Sequence, residues 1–128
     1  MTIGKLTLTL IAATAGAAAL AAEIDLSYFD TLLMQDLDHT VKELEPHIGG
    51  KNAAAATEAV TFLRDGLEWT ESYFAAKGVP DGAKLAREGK ERAAEALTAL
   101  AAGDFDAAAA AARDVAKSCR ACHDVYRP

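Results

Sequence analysis

Strand-forming residues, bulky apolar side chains and basic charge are all in short supply in this 128-residue chain. The hydrophobic share is 52%, but 31 of the residues behind it are alanine. Outside the first 21 positions only 26 larger apolar side chains remain, a thin core for a chain of this size. Strand formers are few and glycines punctuate long Ala/Leu/Glu/Lys/Arg stretches, which excludes a β-sandwich, a barrel and an α/β sheet. Basic residues number 13 against 19 acids, a formal charge of −6, and form no stripe along which phosphates could lie. A nucleic-acid binder is therefore not expected. No catalytic triad, carboxylate pair or phosphate loop is present, so an enzyme is not expected either.

The one long apolar run stands at the amino terminus. Lys5 precedes it, it extends from Leu6 to Leu20, and Ala19-Leu20-Ala21 supplies small residues at alternate positions. A basic start, a short apolar stretch and such a site make residues 1–21 a cleaved secretory signal. The run is shorter than the roughly 20 residues of a membrane span and is rich in weakly apolar Ala and Thr, so no stable membrane anchor is expected. No cysteine follows for lipid attachment. Residues 22–128 then form one domain of about 107 residues, near the modal size. They carry 12 basic and 19 acidic residues, a formal −7. The expected compartment is the periplasm.

Glycines divide this domain into four helical stretches of about 20 to 25 residues. In the first, Leu26, Phe29, Leu33, Leu37, Val41, Leu44 and Ile48 recur at three- and four-residue steps, and Pro46 with Gly49-Gly50 is expected to stop it. The second starts near Asn52, turns Ala56, Val60, Leu63, Leu67 and Phe74 inward, and ends at Lys77-Gly78. The third follows Pro80-Asp81, with Leu85, Gly89, Ala96 and Leu100 inward, and closes at Gly103. Asp104 caps the fourth, which carries Phe105, Ala109, Ala112, Val115, Ala116 and Cys119 on its inner face. Short connections between helices about 30 Å long predict an all-α, antiparallel up-down-up-down four-helix bundle. Six consecutive alanines at 107–112 fit close helix packing; they also leave room for a bulky flat cofactor.

The chemistry is concentrated in Cys119-Arg120-Ala121-Cys122-His123, the pattern of c-type haem attachment. On a helix the three side chains share one face, so two thiols can each add to a vinyl group while the imidazole stands beneath the ring. A disulfide between cysteines three apart would close a tiny loop and add little. A thioredoxin-like pair needs a βαβ setting and a helix N-terminus, and this pair lies near a helix C-terminus. A zinc site needs a fourth ligand, for which only His39 or His47 is left among the histidines. One covalently attached haem c is the expected cofactor.

The segment from Lys117 to Arg127, at the very end of a four-helix chain, resembles the class II c-type cytochromes, typified by cytochrome c′. The resemblance implies a bundle with haem near one end, His123 as the proximal iron ligand, and Arg127 close to the proximal side. It also places the distal side against the first helix, where Leu33 and Met34 compete. At 100° per residue Leu33 sits about 20° from the centre of the apolar face and Met34 about 80° to the other side. With Met34 as distal ligand, the protein would carry electrons between periplasmic redox proteins. With Leu33 capping the pocket, the iron would be five-coordinate and would bind nitric oxide or carbon monoxide.

Members of this group often carry a basic pair in the first helix near the haem propionates. Here the stretch from Glu23 to Glu45 has seven acids and Lys42 alone, so Arg64, Lys84, Arg87 or water are the expected propionate partners. His39 and His47 are expected at the surface. Phe62, Trp69 and Tyr73 form a second stripe, either packed at the core or haem edge, or pairing with Tyr28 and Leu32 in a homodimer through the first two helices.

Overall fold

The computed structural model describes residues 25–127; the signal expected at 1–21 lies outside the described residues. Four α-helices follow one another: α1 (Thr31–Gly49), α2 (Ala53–Ala76), α3 (Pro80–Ala101) and α4 (Phe105–Tyr126). Neighbours in sequence pack side by side and α1 closes against α4, which makes the expected four-helix bundle.

Short polar side chains begin three of the helices. Asp30, Asn52 and Asp104 accept the exposed N–H groups of Leu33, Ala55 and Ala107 at 2.9, 3.2 and 2.9 Å. The other helix starts with Pro80 at its first position and Asp81 in its first turn, where a missing N–H is harmless and a negative charge meets the helix dipole. Gly78 and Gly103 adopt φ of +69° just beyond α2 and α3, a turn geometry that glycine enters without strain.

One helix start and the part given to Pro46 differ from the sequence reading, while α1 does end at the glycine pair. Asp30 starts α1 one turn later than the apolar spacing suggested, leaving Leu26 and Phe29 in the preceding segment. Phe29 still contributes to packing, edge-on to Trp69 and Tyr73 at 5.2 and 4.8 Å between ring centres. The hydroxyl of Tyr73 donates to the Ser27 carbonyl at 2.9 Å and pins this segment to α2. Pro46 does not stop α1, which continues through it to Gly49. So close to the C-terminus proline forfeits only one backbone bond, and its own carbonyl accepts from Gly50 at 2.9 Å.

The core runs along the bundle axis from Leu37, Leu44 and Ile48 through Val60, Leu63 and Leu67 to Leu100 and Val115. Much of the rest is alanine and glycine, and small side chains bring the backbones close. A Cβ on Gly89 would come within 3.2 Å of both Leu67 on α2 and Ser118 on α4. The alanine run serves the same end: Ala108 and Ala111 are buried. The stripe expected to face inward, Phe105, Ala109, Ala112 and Ala116, is only half-buried. It lines a cavity of about 280 Å³ on the α1–α4 seam with Val41, Leu44 and Ile48. The run thus lies along the half of α4 away from the cysteines.

Candidate functional site

Because α1 and α4 run antiparallel, the start of one meets the end of the other, and a cavity of about 240 Å³ opens there. Leu37 and Val41 from α1, Leu63 and Leu67 from α2, and Leu85 and Ala86 from α3 form its apolar wall. Thr70 is the buried polar group among them, and its hydroxyl is satisfied by donating to the Gly66 carbonyl at 2.8 Å. From α4 come Ala116, Ser118, Cys119, Arg120, Cys122 and His123.

The helical register of α4 turns both thiols and the imidazole into this one cavity, as the three- and four-residue spacing requires. Cys119 and Cys122 are free and half-buried. Burial pushes the Cys119 thiol from the ordinary 9.0 up to about 11, with the neighbouring Cys122 and the Asp38 carboxylate adding to the shift. Burial raises Cys122 as well. His123 reaches across the seam, its Nε2 3.4 Å from the Sδ of Met34 on α1.

Of the two competing distal residues, Met34 lines the cavity. Leu33 is half-buried against the core and is not among the lining residues. Arg127 likewise stays outside: its side chain is exposed, while its N–H donates to the His123 carbonyl at 3.0 Å. The cations expected for the propionates lie elsewhere too. Arg64 pairs with Asp65 at 2.9 Å, Arg87 with Glu71 at 2.8 Å and Lys84 with Glu88 at 3.8 Å, and none of the three lines the cavity. The cavity's own charges are Asp38, Lys42 and Arg120, a role the sequence reading did not give them. Lys42 was visible as the lone cation of α1, two turns beyond Met34.

His39 is at the surface, its Nε2 3.2 Å from Glu43 in an ion pair that forms when the ring is protonated. His47 is half-buried near the end of α1. Among the described residues no three His, Cys, Asp or Glu side chains gather as a metal site, so nothing supports the zinc reading. Two free thiols and an imidazole on one helix face, opening into an apolar chamber, are instead the donor set of a covalently bound porphyrin.

A family model described as cytochrome C′ matches residues 79–127, which takes in α3, α4 and the whole Cys-x-x-Cys-His segment. Over that stretch, somewhat more than a third of its length, the chain is similar to the class II c-type cytochromes of the c′ family. Its two thiols and imidazole in the matched segment fit the covalently attached haem c of that family. No curated protein and no solved structure gives a significant match to the chain.

Proposed function

We propose that this chain is a one-electron carrier in which Cys119 and Cys122 would hold a haem c by thioether bonds and His123 and Met34 would supply the ligands to its iron. The observation that supports the reading is that Met34 and His123 meet, Sδ to Nε2 at 3.4 Å, inside the cavity that the two cysteines also line; these two side chains would have to part to take an iron between them. When bound, the haem would supply a reversible one-electron iron couple, and histidine with methionine as its ligands would raise the potential. The rest belongs to the chain. α4 fixes the imidazole and both tethers on one face, α1 presents the thioether, and the leucines of α1, α2 and α3 keep water from the site.

The working place is the periplasm, reached after removal of residues 1–21; no helix among the described residues is long and apolar enough to cross a membrane. The carrier makes no substrate bond chemistry. Its partners are redox proteins with basic patches that suit an acidic surface, with salt-sensitive association. Tyr28 and Leu32 are exposed at 93% and 72%, while Trp69 and Tyr73 are engaged by Phe29. A homodimer through α1 and α2 would therefore use Tyr28, Leu32, Phe62 and the exposed part of Trp69.

The test is the optical spectrum of the matured protein, oxidised and reduced, with and without carbon monoxide. A low-spin spectrum indifferent to carbon monoxide is expected. A high-spin reduced spectrum that responds to the gas would overturn Met34 ligation and leave the five-coordinate, gas-binding reading in its place.

A further inference from the structure

The α1 helix holds one Lys or Arg in nineteen residues, and that cation is spent on the cavity. Lys42 Nζ lies 2.7 Å from Oδ2 of Asp38, one turn earlier on the same helix, and both line the chamber that holds Met34, Cys119 and His123. Asp38 is itself one turn beyond Met34. Its carboxyl is held below the usual range, first by the hydrogen bond from Lys42, with smaller help from Arg127 and His123. The charge of Asp38 also reaches the Cys119 thiol. A full negative charge therefore stands beside the site, with a full positive charge immediately behind it.

The geometry points to Asp38 and Lys42 as opposed charges that each bias the reduction potential of the haem in this chain, the carboxylate lowering it and the ammonium raising it, so that intact they offset one another. The inference rests on the electron-carrier reading, in the sense that a tuned potential matters to a carrier, but it does not need Met34 to be a ligand. Reduction brings one electron from a donor protein, or from an electrode, to the iron; no bond forms or breaks, and the charge at the site falls by one. A nearby carboxylate disfavours that added electron and a nearby ammonium favours it. Paired, the two nearly cancel at a distance. Separated by substitution, each acts alone.

The pair is also open to water, with Asp38 50% and Lys42 70% exposed at the side chain, so dissolved ions will screen it. As an ordinary i,i+4 pair on a helix surface it would stabilise α1 slightly and leave the iron untouched. A potential separates the two roles, because a structural pair does not shift it in opposite directions.

The experiment is spectroelectrochemistry of the holoprotein at pH 7, in low and high salt, for the parent, Asp38→Asn, Lys42→Gln and the double variant. The expected result is a higher midpoint for Asp38→Asn, a lower one for Lys42→Gln, and a double variant lying between them near the parent. Both single shifts should shrink in high salt. Unchanged midpoints, shifts of the same sign, or shifts indifferent to salt would each overturn the proposal. The spectrum recorded in the same cell reports the ligation separately: a high-spin parent would sink Met34 ligation while the midpoints still judged the ion pair.

Discussion

Met34 Sδ and His123 Nε2 lie 3.4 Å apart although eighty-nine positions separate them in the chain. Only the antiparallel closure of α1 on α4 brings a thioether to face the imidazole of the haem-attachment segment. Replacing Met34 with leucine keeps volume and apolarity, so the bundle should lose less than about 1.5 kcal/mol. With Met34 as the proposed ligand, the iron should lose its sixth ligand. A change from a low-spin to a high-spin spectrum, a new response to carbon monoxide and a lower midpoint potential are expected. An unchanged spectrum would exclude Met34 as ligand.

The two thiols predict a difference between haem-free and haem-bearing chains. Burial in the fold pushes the Cys119 thiol from 9.0 up to about 11. Below the ordinary thiol value, folded and unfolded chains both keep the proton. Between the two values the unfolded chain gives it up and the folded chain retains it, so folding stability falls as pH rises through that window. Cys122 adds in the same direction. In the haem-bearing protein both sulfurs are thioethers and do not titrate. Urea midpoints at pH 8 and pH 10.5 should therefore fall more for the haem-free chain than for its holoprotein. Equal falls would show that buried thiols are not the cause.

How much of this was legible in the sequence depended on whether the signal was local. Asn52, Pro80 and Asp104 mark helix starts because a cap or a first-turn proline acts within three residues. Cys119, Cys122 and His123 share a face by helical period alone. Leu33 against Met34 was not decidable that way. The average apolar face of α1 favours Leu33, but at that end of the helix the inward direction is set by α4, which the period cannot see. The same holds for Asp38, Lys42 and Arg120. Charge on a helix usually means solvent, and only tertiary placement turned these three into cavity residues. The start of α1 was misread for a related reason: Phe29 packs like a helical residue while Asp30 ends the segment it belongs to.

Glu71 ties α2 to α3 by accepting from both Arg87 and Lys90. Those hydrogen bonds, Lys90 first and then Arg87, hold its carboxyl below the usual range. A depressed carboxylate contributes its full stability above its ordinary value of 4.5 and loses it as pH falls through the lower, folded-state value. Glu71→Gln should therefore flatten the acid limb of the stability curve below about pH 4.5. Near neutrality its cost should stay on the order of 1 kcal/mol, since both cations remain partly hydrated. Thermal midpoints of parent and variant between pH 3 and pH 7 check this; parallel curves would remove Glu71 from the account.

Gly82 offers the sharpest test of close packing. A Cβ at this position would stand 2.6 Å from two atoms of the Phe74 ring. The ring is 2% exposed and sits against Tyr126 at 4.8 Å between centres, so it has nowhere to go. Alanine gains about 1 kcal/mol over glycine in a helix interior. Overpacking a fixed ring costs about 1–3 kcal/mol, and at contacts this short the upper part of that range should prevail. Gly82→Ala is then expected to lower the thermal midpoint by several degrees, at roughly 4–8 °C per kcal/mol for a domain of this size. Gly49→Ala is the control, because nothing lies within 4 Å of its Cβ and its backbone is ordinary helix. That variant should hold or slightly raise the midpoint. If both substitutions behaved alike, helix propensity would govern these glycines, and the tight seam between α2 and α3 would not.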